Sequence, residues 1–143
     1  MWEITAFQTG FPRFLVGTGL TAFLLVLASF IYIKLTPWKE LALVKNQNGA
    51  AGLALAGAIA GLAIPLAASL ASATSYPELL IWGTVALLLQ LIAYRVIDLL
   101  LSDLPRRIEE DQAGPAIVLI GAKLSSAMIL AAGLWDPHTR LLT

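Results

Sequence analysis

The stretch GAAGLALAGAIAGLAIPLAASLAS, residues 49–72, decides the fold of this chain. It is almost wholly apolar and contains no charged side chain. A helix needs about 20 mostly apolar residues to cross the hydrocarbon core of a bilayer, which is about 30 Å thick. The stretch therefore predicts a membrane-spanning helix.

Three further segments meet the same length and polarity requirement, and together with the first they set the architecture. They lie at about 14–35, 78–101 and 114–134. The whole chain is 59% hydrophobic and only 13% charged, whereas a soluble domain carries about a quarter charged residues. We predict an all-α membrane protein, a single transmembrane domain over 1–143, with four membrane-spanning helices. The first span ends in Lys34 without a small-residue cleavage site, so we interpret it as a retained span rather than a signal peptide.

Composition also excludes several classes of function. The formal net charge is zero, so there is no basic excess that would bind nucleic acid. There is no cysteine, and the single histidine is His138, which together exclude thiol chemistry and a histidine-rich metal site. No catalytic or phosphate-binding motif stands out. We expect no enzyme activity, no cofactor and no metal site.

Charge in the loops predicts the orientation. The loops after the first and third spans carry basic residues, whereas the second loop has none. By the positive-inside rule both basic loops are cytoplasmic and both termini lie outside. The tryptophans agree with this placement, because Trp38 falls at the inner interface and three others near the outer one, namely Trp2, Trp82 and Trp135.

The first loop predicts a short interfacial helix. Trp38, Leu41 and Val44 share one face of it, opposite Lys39 and Glu40. Alternatively the two cytoplasmic loops form a docking surface for a cytosolic partner. The residues of that surface would be Trp38, Lys39, Glu40, Lys45, Asn48, Arg106 and Arg107.

An internal repeat emerges when the chain is shifted by 64 residues. The shift aligns 14–72 with 78–136, which predicts two parallel copies of a two-helix hairpin related by an axis along the membrane normal. It also aligns Gly57 and Gly61 with Gly121 and Ser125. Such small residues permit close helix packing in membranes. They pack the protomer, or one of the two faces also builds a homo-oligomer.

Lys123 is the charge that most needs an explanation, because it lies near the middle of the fourth span. Nine residues from Gly114 correspond to about 14 Å, near the midplane. Gln90 on the third span falls at a similar depth, and Ser126 lies one turn from Lys123. Further partners for its ammonium are Asp98 and the carbonyl groups that Pro65 leaves free. Lys123 then belongs to an ion or solute path, or it is a polar pin that fixes helix register.

Arg95 and Asp98 form a second charged pair on the third span. Their i, i+3 spacing places them on one face of a helix, where we expect them to neutralise each other. A structural role is the expectation for this pair.

The central half of the chain resembles the YjfL family, small bacterial inner-membrane proteins built as a tandem two-helix domain of unknown function. The resemblance spans the end of span one to span three and rests on the residues Pro37, Glu40, Lys45, Asn48, Ala50, Ala51, Gly57, Gly61, Ile64, Pro65, Leu66, Trp82, Gly83, Ala86, Leu87, Gln90 and Leu91. It implies a bacterial inner-membrane location and association with peripheral membrane-stress proteins of the phage-shock type. Gln90, Asn48 and Pro65 match the family pattern, whereas Arg95 and Lys123 lie outside it.

Two functions remain open on these observations. The first is a small permeation protein, which we expect to be a homo-oligomer because one protomer has few helices with which to cover its polar residues. The second is a non-conducting membrane-stress component that recruits a peripheral partner through its loops. In both, membrane lipids and further copies of the chain are the expected neighbours.

Overall fold

The computed structural model describes residues 1–36 and 39–135, which fold into helices joined by short connections. The elements are α1 (Trp2–Leu35), α2 (Glu40–Lys45), α3 (Gly49–Ser72), α4 (Tyr76–Leu100), α5 (Leu104–Glu109) and α6 (Ala113–Leu134). Four of these, α1, α3, α4 and α6, are long and apolar enough to cross a membrane. The predicted all-α membrane fold with four spans is confirmed. The expectations for Trp38, His138 and residue 136 lie outside the described residues.

The bundle has two ends, which we name by what lies there. The connector end carries α2 and α5, and the terminal end carries the start of α1, the α3–α4 turn and the end of α6. The helix α3 is the centre of the bundle, since it packs against α1, α4 and α6. Its alanine and glycine face lets the neighbouring helices approach closely.

Gly57 and Gly61 mark the two closest approaches to α3. A methyl group at Gly57 would lie 2.5 Å from Cγ1 of Ile120 on α6, and one at Gly61 would collide with the hydroxyl of Tyr94 on α4. The aligned positions of α6 behave differently. Gly121 and Ser125 are exposed, and a methyl group at Gly121 would meet nothing within 4 Å. The expectation that both small-residue pairs pack the protomer is therefore wrong for the second pair.

The helix α1 is longer than predicted and only loosely embedded. It begins at Trp2 instead of residue 14 and passes through Pro12. The threonine hydroxyls at 5 and 9 donate to carbonyl groups of the preceding turn. Its 34 residues measure about 51 Å. The buried residues lie on a single stripe, which faces α3 and α4, and are Gly17, Leu24, Ala28 and Tyr32. Most of the other residues of α1 are exposed, and a few beside the stripe, such as Leu25 and Ile33, are half-buried against the core.

The two connectors repeat the same backbone at the offset of 64 residues. Gln47 and Asp111 both adopt left-handed backbone, with φ of 60° and 58°. The N–H of Gln47 bonds to the carbonyl of Val44 at 3.0 Å, and the N–H of Asp111 bonds to that of Ile108 at 2.9 Å. The parallel arrangement of two whole repeats stays a prediction.

The connectors also brace each other. The Asn48 side chain caps α3 by accepting from the N–H of Ala51 at 2.9 Å, and its Nδ2 donates to the carbonyl of Ile108 at 2.9 Å. The Asp111 carboxylate accepts from the N–H of Ala50 at 2.9 Å. Asn48 therefore holds two connectors together instead of standing ready for a partner, as the docking-surface hypothesis required.

Candidate intramembrane polar site

A stripe of polar side chains runs along the inner face of α4 at intervals of four residues. It consists of Gln90, Tyr94 and Asp98, which share one face because residues four apart are neighbours on a helix. All three are buried, and so is Lys123 of α6, which faces them. The interior of the bundle thus contains a polar cluster in place of a purely apolar core.

Lys123 reaches Asp98 because the two side chains lean toward each other. The main chain of Lys123 lies level with Gln90, because Gln90 Nε2 donates to the Lys123 carbonyl at 3.2 Å. Asp98 is about 12 Å farther along α4 toward the connector end. Side chains on a helix tilt toward its N-terminus, and since α4 and α6 are antiparallel, Lys123 tilts toward the connector end and Asp98 away from it. Lys123 Nζ lies 3.3 Å from Asp98 Oδ1.

Two tyrosine rings flank the ammonium group. Lys123 Nζ lies 4.8 Å from the ring centroid of Tyr32 on α1 and 4.8 Å from that of Tyr94. The two rings meet edge to face at 5.6 Å. A cation over an aromatic face is stabilised by the ring quadrupole, and more strongly where water is excluded.

A second carboxylate joins the cluster through Tyr32. Lys123 Nζ donates to the Tyr32 hydroxyl at 3.0 Å, and that hydroxyl donates to Glu40 Oε1 at 2.9 Å. Glu40 is 1% exposed, whereas Leu41, its neighbour in α2, is 45% exposed. The predicted polar face of the loop helix is therefore wrong for Glu40. A buried hydroxyl beside an ammonium draws the carboxylate inward, because a buried polar group needs a hydrogen-bond partner.

Gln90 fixes the far side of the cluster. Besides the Lys123 carbonyl, its Nε2 contacts Ser126 Oγ at 3.3 Å, and Ser126 itself donates to the Lys123 carbonyl at 2.8 Å. Gln90 and Ser126 thus hold the backbone of Lys123, while the ammonium bonds elsewhere. The Tyr94 hydroxyl donates to the carbonyl of Ala58 at 2.7 Å, so α3 is tied to the same place.

Two sequence-predicted residues lie apart from this cluster. Arg95 is exposed, and Asp98 forms its ion pair with Lys123 instead. The expected neutralisation of Arg95 by Asp98 is therefore wrong, because the Asp98 carboxylate turns to the Lys123 ammonium. Pro65 is buried inside an uninterrupted α3. It is one turn beyond Gly61, on the terminal side of the contact with Tyr94.

Two cavities border the cluster in the connector half of the bundle. A cavity of about 390 Å³ opens between α1 and α4, and another of about 420 Å³ lies at the connector end. Arg95 and Asp98 line both. On the terminal side the cluster is covered by apolar core residues, among them Leu62, Leu66 and Leu87.

Sequence reasoning missed both tyrosines. A signal was present, because Gln90, Tyr94 and Asp98 recur every four residues in α4, whereas Arg95 falls outside that spacing. Tyr32 carried no such signal, since its polar neighbours Glu40 and Lys123 come from other helices. A chain of one base, two acids and a phenol can accept, hold and release a proton. Among the described residues no group of histidine or carboxylate side chains is arranged to hold a metal ion.

Comparison with known proteins shows the family to which this chain belongs. The model of the family described as "Domain of Unknown Function (DUF350)" matches residues 6–134. Two relatives, both called "UPF0719 inner membrane protein YjfL", come from Escherichia coli strain K12 and Escherichia coli O157:H7. Each is 33% identical over 119 residues, which cover 83% of this chain and 87% of the relative. No solved structure matches it.

Proposed function

The chain belongs to the DUF350 family, and from that premise we propose that it is a multi-pass inner-membrane protein whose buried cluster carries protons. The sequence predicted a path for an ion or small solute, and we propose that the ion is a proton. The proton is transferred between Glu40, Tyr32 and Lys123, and Asp98 is the counter-ion of the lysine. No catalytic conversion of a substrate is part of it.

The observation that carries the proposal is the continuous hydrogen-bonded chain from Glu40 to Lys123. Its two links measure 2.9 Å and 3.0 Å, within the range of good hydrogen bonds. A proton on the Glu40 carboxyl can pass to the Tyr32 oxygen while the Tyr32 proton passes to a neutral Lys123 amine. Glu40 is left as a carboxylate, Tyr32 is unchanged and Lys123 becomes an ammonium beside Asp98. The reverse sequence returns the proton.

The proposal also fixes a direction. We infer that the connector end faces the cytoplasm, as the positive-inside rule predicts from Lys39, Lys45, Arg106 and Arg107. Glu40 would then load from the cytoplasm and Lys123 would hold the proton inside the membrane. Release to the other side requires the apolar layer of Leu62, Leu66 and Leu87 to open or a second copy to complete the path.

A homo-oligomer is part of the proposal. Gly121 and Ser125 form a small-residue face on α6 that is exposed in the protomer, and such faces support close helix contacts in membranes. Crosslinking in native membranes tests it, with a cysteine introduced at Gly121 and one at the exposed Ile92 of α4 as a control. Crosslinked dimers at position 121 and none at position 92 support the proposal, and a monomer in both contradicts it.

The decisive experiment compares two tyrosine variants that each lose one hydroxyl group. Tyr32→Phe breaks the chain between Glu40 and Lys123 and keeps the ring that faces the ammonium. Tyr94→Phe is the matched control, because its hydroxyl bonds to the Ala58 carbonyl and lies outside the chain. Proteoliposomes with a trapped pH-sensitive dye measure proton entry under an imposed pH gradient and a potassium diffusion potential.

We expect wild type and Tyr94→Phe to carry protons, and Tyr32→Phe to fall to the rate of protein-free vesicles. Equal rates for Tyr32→Phe and wild type would remove the relay. A wild-type rate no higher than that of empty vesicles, with the protein correctly inserted, would remove the proton function altogether.

The alternative function is recruitment of a peripheral membrane-stress protein of the phage-shock type. It is favoured by four exposed basic residues at the connector end, Lys39, Lys45, Arg106 and Arg107. Reversing the charges of Lys39 and Lys45 would then abolish co-sedimentation of the partner with membranes and leave proton flux intact. Retained co-sedimentation would exclude this pair of residues as the docking surface.

A further inference from the structure

Arg95 has no role in the relay, yet it lies in a membrane-spanning helix. It is five residues from the end of α4 at Leu100, about 8 Å along the axis, and its side chain is exposed. Within the described residues no hydrogen bond or ion pair involves it. A guanidinium at this depth turns toward the headgroup region, where it needs an anion.

The surroundings of Arg95 join an apolar groove to a polar pocket. The groove is the cavity between α1 and α4, walled by Ile31, Leu35, Leu88 and Ile92. The pocket at the connector end is lined by Ser102, Arg106 and Glu109 together with Leu99 and Pro105. Arg95 and Asp98 line both, so Arg95 stands where the two meet.

We propose that this joined cavity is a binding site for one phospholipid molecule. An acyl chain lies between α1 and α4, and the phosphate binds Arg95, with Arg106 as a second donor. Asp98 does not oppose the phosphate, because its charge is balanced by Lys123 at 3.3 Å. A bidentate guanidinium–phosphate contact is among the strong hydrogen bonds.

The lining also selects the headgroup. Glu109 at the rim of the pocket repels a second negative charge and accepts a hydrogen bond from an ammonium group. Asp103 pairs with Arg106 at 3.9 Å and with Arg107 at 3.1 Å, so its charge is balanced and Glu109 is the carboxylate left to act on the headgroup. A zwitterionic ethanolamine headgroup brings a phosphate to the arginines and an ammonium to Glu109, whereas a glycerol headgroup offers Glu109 only neutral hydroxyl groups.

A second copy of the chain is the competing occupant of the groove. Its apolar helix would cover the walls between α1 and α4, but it would bring no anion to Arg95. Charge complementarity therefore favours the phospholipid.

Native mass spectrometry of the full chain in mild detergent measures the binding. Phosphatidylethanolamine is titrated into delipidated wild type, Arg95→Gln and Arg107→Gln. Arg107 is the matched control, because it is also an exposed arginine near the connector end, but it pairs with Asp103 at 3.1 Å and lines neither cavity. We expect the Kd to rise about tenfold for Arg95→Gln, the loss of one charged hydrogen bond, and to stay unchanged for Arg107→Gln.

A second pair of variants tests the acyl groove. Leu88→Trp fills the groove wall, and Leu80→Trp places the same bulk on another exposed position of α4 outside both cavities. Binding should weaken in the first variant alone. Since both positions are exposed, neither substitution disturbs the core.

The lipid probes decide between the sources of phosphate. Glycerophosphoethanolamine, which lacks acyl chains, and diacylglycerol, which lacks phosphate, should both fail to compete with phosphatidylethanolamine, and phosphatidylglycerol should compete more weakly. Effective competition by the headgroup alone would make this a free-phosphate site. Equal binding of diacylglycerol, or unchanged binding by Arg95→Gln, would overturn the proposal. Lipid binding is measured without any proton flux, so the result for Arg95→Gln does not depend on whether the proton relay exists.

Discussion

The two halves of the chain share a backbone pattern but not a chemistry. Each half runs long helix, short helix, long helix, and the turns at Gln47 and Asp111 have the same left-handed backbone. The polar cluster takes Tyr32 and Glu40 from the first half and Asp98 and Lys123 from the second. At the positions 64 residues away stand, in that order, Val96, Leu104, Lys34 and Ile59.

This difference shows that the backbone geometry of the two halves does not depend on the side chains that form the cluster. The connector backbone is set by local hydrogen bonds, which tolerate many side chains. The cluster depends on contacts between individual side chains of different helices. None of these contacts is repeated at the positions 64 residues away. Exchanging residues between equivalent positions therefore tests which half depends on which residue.

The largest effect is expected from Lys123→Ile, which gives the second half the residue that the first half has at position 59. Asp98 would be left buried without its ammonium, and the loss of one partner of a buried ion pair costs about 3–5 kcal/mol. Thermal unfolding in detergent, followed by circular dichroism, measures the change. The exposed Lys45→Ile is the control.

Lys123→Ile combined with Asp98→Asn should recover most of that loss, because the uncompensated charge is gone. A single variant as stable as wild type would show that the lysine is not needed to hold the bundle together. A double variant no better than the single one would show that the cost lies elsewhere than in Asp98.

The next effect separates the two small-residue pairs. Gly57→Ala places a methyl group against Ile120, so α3 and α6 must move apart, at a cost of about 1–3 kcal/mol. Gly121→Ala meets open space, and alanine is the better helix former by up to about 1 kcal/mol. The protomer should therefore lose stability only in the first variant, as measured by unfolding in a detergent that keeps it monomeric. Equal losses would contradict the assignment of the two faces.

The smallest effect concerns the caps of α3 and α6. Asn48→Ala removes a side-chain cap and should cost about 1 kcal/mol. Gln112→Ala, at the equivalent position, removes no cap bond and should change stability by less than about half as much. Unfolding of the two variants under the same conditions gives the ratio of their losses in unfolding free energy. A Gln112 variant that loses as much as the Asn48 variant would contradict the prediction that only Asn48 caps its helix.

The depth of a residue in the membrane could be predicted from the sequence more readily than the direction in which its side chain points. The common level of Gln90 and Lys123 follows from the constant rise of a helix, and the amide of Gln90 does bond to the Lys123 carbonyl. The direction of Arg95 and Glu40 did not follow. Arg95 is one residue past Tyr94, and that step of about 100° turns it outward. Glu40 belongs to a helix too short for periodicity to orient, and its partner Tyr32 lies on another helix.

The pairing of Lys123 with Asp98 has a consequence for biosynthesis, because α6 is the last span to leave the ribosome. Until it inserts, α4 carries Asp98 and α3 carries Gly57 with their partners on α6 still missing. Lys123 and Ile120 supply both at once. A nascent chain that stops short of α6 would display a carboxylate and an open small-residue face within the bilayer, two marks by which membrane quality control can recognise an unfinished protein.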